Sequence, residues 1–197
     1  MAATTEPDMT THSDRAPTID PDRRTTDDHG HDLVSPLQAA ILTVSTSRAE
    51  ADDPDDPGGD QIQSLFEAAG HRVVARRLVA DKIGAIQQEL DALLDDETVD
   101  LVVTTGGTGA TADDVTPDAV AARFDRELPG FGELFRQLSY EEIGTRTIAS
   151  RATGGIARDT PVFVLPGSTN AVTLATEEII LPEASHLVGL ATRHLVE

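Results

Sequence analysis

The sequence predicts an α/β fold, a three-layer αβα arrangement around a mainly parallel sheet that carries a short antiparallel hairpin. Three observations predict it. Apolar runs of strand length alternate with segments of helical apolar spacing in the order βαβαβ. The first run, Ala39 to Ser45, is nearly continuous, as a strand buried on both faces requires. Late in the chain a polar turn, Arg158-Asp159-Thr160, separates two further apolar runs and suggests a hairpin.

The 197 residues suit one domain of ordinary size plus a tail. Residues 1–36 are Thr, Asp, Pro, Arg and His with almost no apolar residue, so burial cannot offset their ordering entropy. A disordered acidic tail is expected there, with His29 and His31 solvated, and a single domain over 37–197. After the first strand comes a polar loop, Arg48 to Gly59. Ile62, Leu65, Phe66 and Ala69 then mark a helix that Gly70 stops. Val73 to Val79 is the second strand; Ile83, Ile86, Leu90, Leu93 and Leu94 mark the next helix; Leu101 to Val103 is the third strand. Right-handed crossovers put helices on both faces of such a sheet. Thr116 as N-cap and Pro117 as first helical residue open another helix. Pro129-Gly130-Phe131-Gly132 is expected to break the chain ahead of a helical face of Leu134, Phe135 and Leu138. Ala152 to Ile156 and Pro161 to Leu165 form the hairpin. Gly167-Ser168 opens a helix to about Ile180, and Pro182 begins the last one, through Leu195.

Fifteen Lys and Arg stand against 35 Asp and Glu, a net charge of −20, so nucleic acid and anionic membranes are poor partners. The tail holds eight acids and three Arg, which leaves −15 on residues 37–197; the acidity belongs to the fold. Only Lys82 is a lysine. Such a surface resembles that of proteins from salt-loving organisms, where molar salt screens carboxylate repulsion over about 3 Å. The absence of cysteine excludes disulfides, thiolate zinc sites and thiol nucleophiles. No apolar run approaches the roughly 18 residues of a membrane span, and a cytoplasmic protein is expected.

In an open α/β sheet, ligands bind beyond the C-terminal strand ends. Three loops there are chemically loaded. The first is Thr104-Thr105-Gly106-Gly107-Thr108-Gly109, running on through Asp113 and Asp114 to Pro117; its glycines let the backbone approach a ligand and offer N–H groups to phosphate oxygens. Its Gly107-x-Gly109-x-x-Ala112 follows the third strand rather than the first and its helix starts only at Pro117, unlike a dinucleotide fingerprint. A Walker phosphate loop is excluded by the lack of Gly-Lys-Ser/Thr. The second loop, Pro166-Gly167-Ser168-Thr169-Asn170, combines a rigid turn with a helix N-terminus suited to an anion. The third runs from Ser45 through Arg48, whose planar fork suits phosphate, to Gly58-Gly59-Asp60.

Together these motifs resemble the MoaB/MogA family of molybdenum cofactor biosynthesis, which includes molybdopterin adenylyltransferases, over about Ala39 to Leu195. Thr104 to Gly109 followed by Asp114-Val115-Thr116-Pro117-x-Ala119 looks like the family signature. Phe124 to Glu133, Glu141 to Thr145 and Ser150-Arg151-Ala152 are similar to the MoaB branch in particular. Leu165 to Thr169 matches the phosphate loop, with Asn170 where many members carry Lys, and Gly58-Gly59 replaces the usual Ser-Gly. The resemblance implies Mg²⁺-dependent transfer of AMP from ATP to molybdopterin; a non-catalytic molybdopterin carrier of the same fold is the alternative. It also implies Asp114 at the Mg²⁺–phosphate centre and Asp81 as a second carboxylate facing the same cleft, unless Asp81 merely caps the helix after Lys82. Ligand contacts are expected from Thr105, Gly106, Gly107, Thr108, Gly109, Ser45, Arg48, Gly59, Pro166, Gly167 and Ser168. Asp113 is read as solvated, and Arg126 and Glu142 as structural. A homo-oligomer, trimer or hexamer, is implied, with Phe131, Leu134 and Phe135 the segment expected at its interface.

If the acidity of the fold reflects life in molar salt, the unfolding midpoint should rise as KCl goes from about 0.1 to 2 M, because screening removes carboxylate repulsion. Thermal melts across that series check it; a flat or falling midpoint rejects the halophilic reading.

Overall fold

The computed structural model describes residues 19–52 and 54–195. A short 3-10 turn leads into β1 (Arg24–Thr26) and β2 (Asp32–Val34), which pair antiparallel. Then follow β3 (Gln38–Val44), α1 (Thr46–Ala49), α2 (Pro57–Ala68), β4 (Arg72–Val79), α3 (Ile83–Leu94), β5 (Leu101–Thr105) and α4 (Thr116–Ala121). The second half adds β6 (Arg126–Glu127), α5 (Pro129–Ile143), β7 (Thr153–Ala157), β8 (Thr160–Leu165), α6 (Thr169–Ala175) and α7 (Leu181–Ala191).

The main sheet has the order β4-β3-β5-β8-β7-β6. β3 pairs parallel with both β4 and β5, β5 pairs parallel with β8, and β7 and β6 run antiparallel. Side chains alternate across β3, so its two faces feed two cores. Ala39 and Ile41 join Ile62 and Phe66 of α2, Phe131 and Phe135 of α5, and Val172 and Val188 of α6 and α7. Ala40, Leu42 and Val44 join Ile86, Leu90 and Leu93 of α3 and Val120 of α4. The three-layer αβα reading therefore holds. The Arg158-Asp159 turn of the hairpin has positive φ at both residues, 47° and 61°, as a tight hairpin turn demands.

Several local expectations are corrected. Residues 1–18 lie outside the described residues, but 19–36 are not a solvated tail. Ile19 and Val34 enter the core, and Arg24 Nη2 donates to the Thr192 hydroxyl at 2.7 Å. Arg193 pairs with Asp32 at 2.7 Å, and His31 stacks on His186 with centroids 4.9 Å apart. Arg23 pairs with Asp100, a carboxylate only 1% exposed that also accepts from the Gln38 N–H at 2.6 Å. Burial pushes the Asp100 carboxyl above its usual range, against the pull of Arg23 and that N–H. The arm holds by arginine pairs to residues 77 and 168 positions away, which composition does not reveal.

Pro129 does not break the chain but starts α5, since a proline fits the first helical turn where its missing N–H costs nothing. Phe131 and Phe135 are buried within the subunit, and Leu134 is exposed. Pro57 likewise starts α2, shortening the expected polar loop, and Val115 rather than Thr116 is the N-cap of α4. Pro182 stands in the first turn of α7, as expected, and α7 follows α6 directly through a π-turn over Thr176–Ile180, in which Leu181 N–H donates to Thr176 C=O. That wider turn, one residue looser than an α-turn, accommodates Pro182 without a break.

Arg23→Ala would leave Asp100 buried without its cation and is expected to cost about 3 kcal/mol or more of stability. Urea unfolding checks this; a midpoint equal to that of the parent chain would return the arm to the solvated state.

Candidate active site

β4 and β5 lie on opposite sides of β3, so the connections from β3 and from β5 diverge and open a crevice at the C-terminal strand ends. Close packing of those ends decides which residues can occupy it. Gly106 continues β5 with φ +103° and donates its N–H to Leu165 C=O at 3.0 Å; a Cβ there would fall on the Val44 carbonyl oxygen. Gly167, from the loop after β8, sits with its own Cβ position 3.3 Å from Gly106 Cα. Thr105 Oγ1 donates to Pro166 C=O at 3.1 Å, and Gly58 at the start of α2 lies against Thr105, its Cβ position 3.5 Å from that hydroxyl. The loops after β5 and β8 and the N-terminus of α2 thus meet at one point.

Asp81, after β4, reaches the same loop. Its Oδ2 accepts from the Thr46 N–H at 2.6 Å and the Thr46 hydroxyl at 3.0 Å, and its own N–H donates back to that hydroxyl at 3.0 Å. It therefore ties the first turn of α1 rather than capping α3, whose N-cap is Lys82 with no side-chain bond. Asp81 Oδ1, which accepts no hydrogen bond among the described residues, lies 2.9 Å from the Cβ position of Gly107, where φ is +62°. Asp114 approaches Gly109, two residues on: its Oδ2 is 2.7 Å from that Cβ position and accepts from the Thr111 hydroxyl at 2.5 Å and N–H at 2.9 Å. The Thr111 hydroxyl above all, with the N–H groups of Thr111 and Gly109 and the charge of Arg151, holds the Asp114 carboxyl below the usual carboxylate range, so it stays ionised. The N–H groups of Gly107, Thr108 and Ala110 have no acceptor among the described residues.

The other expected site residues divide. Thr108 is buried in the loop, and Ser45 sits half-buried at the end of β3 with its N–H on Val79 C=O at 2.8 Å. Arg48, half-buried on α1, has no side-chain partner among the described residues. Gly59 does not face the crevice: its N–H donates to Asp56 Oδ1 at 3.1 Å, and Asp56 Oδ2 in turn holds Arg76 at 2.8 Å and Thr43 Oγ1 at 2.9 Å. Gly58, beside it, takes the crevice side. Ser168 is the N-cap of α6 and also lines, with Pro166, Asn170, Ser139 and Arg146, a cavity of about 510 Å³ against α5. Asp113 is exposed, as expected; so is Arg126, while Glu142 borders the cavity. Sequence reasoning gave no role to Arg146 or Arg151, because neither lies in the loop it serves.

A glycine loop, two carboxylates against it and a helix N-terminus meet at the C-terminal strand ends of a doubly wound sheet, where α/β proteins hold their ligands. The family model described as "Probable molybdopterin binding domain" matches residues 40–186, and the chain belongs to the MoaB/MogA family of molybdenum cofactor biosynthesis. "Molybdenum cofactor biosynthesis protein B" of Escherichia coli strain K12 is 45% identical over 144 residues, 73% of this chain and 83% of that protein. A crystal structure of a molybdenum cofactor biosynthesis protein B superposes with a TM-score of 0.77 at 42% identity, over 81% of this chain and 98% of the other. The tungsten cofactor synthesizing protein MoaB from Pyrococcus furiosus gives 0.71 at 37% identity, over 80% and 98%.

Gly106→Ala should destabilise by about 2 kcal/mol or more, since it meets both a positive φ and the Val44 carbonyl. Gly84→Ala, in α3 with open space around it, should be neutral or stabilise by up to about 1 kcal/mol. Denaturant titration of the pair checks the opposite signs. Because the folded pKa of Asp114 is depressed, its contribution to loop order is complete above the ordinary value of 3.8 and is lost as pH falls through the lowered one. Loop amide signals followed by NMR down an acid titration should change only below that value.

Proposed function

We propose that this chain serves molybdenum cofactor biosynthesis as a molybdopterin adenylyltransferase. A phosphate oxygen of molybdopterin attacks the α-phosphorus of ATP, the bond from that phosphorus to the oxygen bridging to the β-phosphate breaks, and pyrophosphate leaves with the electron pair. The observation that carries this reading is the placement of Asp81 and Asp114 against Gly107 and Gly109 of one loop, beside three N–H groups without acceptors among the described residues.

Bringing two anions together needs positive partners, and an acidic chain has few cations to offer. The loop N–H groups of Gly107, Thr108 and Ala110 donate to phosphate oxygens, Arg48 on α1 has no side-chain partner among the described residues, and close packing at Gly106 and Gly167 keeps the loop from collapsing as charge shifts. The donor set fits Mg²⁺, which is held by one or two carboxylates with substrate phosphates and water completing its shell; Asp114 and Asp81 border the loop. Asp114, kept ionised, would hold it, with Asp81 Oδ1 against the same loop; bound there, it would supply neutralisation of the phosphates. The cavity beside Ser168 has room for a second substrate group.

A molybdopterin carrier without turnover is the second reading, and Asn170, a neutral residue on the phosphate loop, favours it. The reading extends to a homo-oligomer, trimer or hexamer, for which the apolar groove of about 330 Å³ lined by Leu128, Leu134, Ile179 and Leu187 supplies a surface. It also extends to action in the cytoplasm; no helix among the described residues is long and apolar enough to cross a membrane.

Asp114→Asn keeps size and removes charge. ATP-dependent pyrophosphate release with molybdopterin should fall about 10²-fold or more, a loss of about 2.7 kcal/mol or greater, while molybdopterin affinity changes less. A folded variant with unchanged turnover would defeat the catalytic role, and no pyrophosphate release by the parent chain would leave the carrier.

A further inference from the structure

Arg151 lies outside the glycine loop, in the segment leading into β7, yet it makes three hydrogen bonds to that loop's carbonyls. Its main-chain N–H donates to Thr108 C=O at 3.0 Å and its Nε to Gly109 C=O at 2.9 Å. Nη2 donates to Asp114 C=O, and Nη1 pairs with Asp118 Oδ2 at 2.9 Å, at the start of α4. One residue therefore closes three carbonyls of a ten-residue connection and anchors its far end. In a trans peptide the carbonyl and the next N–H point to opposite sides. Drawing the Thr108 carbonyl toward Arg151 turns Gly109 N–H toward the Asp114 carboxylate. Drawing the Gly109 carbonyl the same way turns Ala110 N–H away, where it has no acceptor among the described residues. The Asp114 carbonyl does likewise for Val115 N–H.

We propose that Arg151 is the positioning residue of this loop: its planar fork fixes the peptide planes so that N–H groups face the crevice as an anion cradle. The proposal rests on the nucleotide reading above for what the cradle holds, but not for the hold of Arg151 on the loop. Arg151 acts through the backbone and need not touch substrate, since each of its three side-chain nitrogens already bonds a loop carbonyl or Asp118. The geometry also calls for arginine specifically. A lysine at 151 keeps the charge, but its ammonium sits at a single point and cannot bond carbonyls spread along a fork.

The test compares the parent chain, Arg151→Ala and Arg151→Lys by calorimetric titration with Mg²⁺-ATP, hydrogen exchange over residues 106–116 and thermal melting. Expected are an affinity loss of about tenfold or more in both variants and faster exchange at the Asp114 and Thr116 amides, which bond within the loop. Melting temperature should drop by only a few degrees, and added guanidinium should restore binding to Arg151→Ala. Arg151→Lys with parental affinity and exchange would overturn the proposal, because charge alone would then suffice; so would unchanged loop exchange in Arg151→Ala. If the parent chain binds no Mg²⁺-ATP while the variants' loop amides still exchange faster, the nucleotide reading fails and the positioning role stands.

Discussion

The Val44 carbonyl at the end of β3 and the backbone of Gly106 at the end of β5 are packed so tightly that no side chain fits between them. Much of the crevice follows from that approach. With Gly106 pinned to Leu165 C=O on its other side, β3, β5 and β8 end at one level, and the chain leaving β5 has only the space above the sheet to turn in. Gly107 must then take a left-handed conformation beside Asp81, and Gly109 must pass beside Asp114. A backbone held open in this way presents N–H groups at no further ordering cost when an anion arrives, which is the advantage of a preorganised site.

The acidic composition gives this arrangement its electrostatic character. Most of the arginines serve as structural ties. Arg76 holds Asp56 and Asp60 where α2 begins, Arg123 and Arg158 share Asp91 between α3 and the hairpin turn, and Arg23 reaches the buried Asp100. Each such pair is worth little where solvent reaches it and more where one partner is buried. On the function proposed above, anionic ligands would bring, or share, a cation with the two aspartates.

The layers, the strand sequence and the glycine loop were legible in the sequence, because buried parallel strands leave continuous apolar runs and the loop carries its glycines in a row. Asp81, at the end of a strand, and Asp114, beside the glycine loop, could be singled out through the resemblance of these motifs to the family's carboxylates. What sequence reading missed lies in contacts between distant segments. The arm over residues 19–36 looked too polar to fold, since Arg24 reaches Thr192 and Arg23 reaches Asp100. Arg151 sits 42 residues from Gly109, and no spacing rule links them. Pro129 misled because proline signals a break only where a helix needs its N–H. Position 129 is a first turn, and position 182 follows a π-turn that frees the space its ring needs.

That π-turn lets α6 and α7 run as one rod from Ser168 to Ala191, a length of roughly 35 Å at 1.5 Å per residue. Its first residues border the phosphate loop; its last lie against the N-terminal arm, with Asp32 packed on Gly189. The rod spans the domain from its reactive rim to its base, so whatever is joined to the chain ahead of the arm is attached at the far pole. A fused module or an immobilising tether on that side would leave the crevice facing outward, with its approach unobstructed.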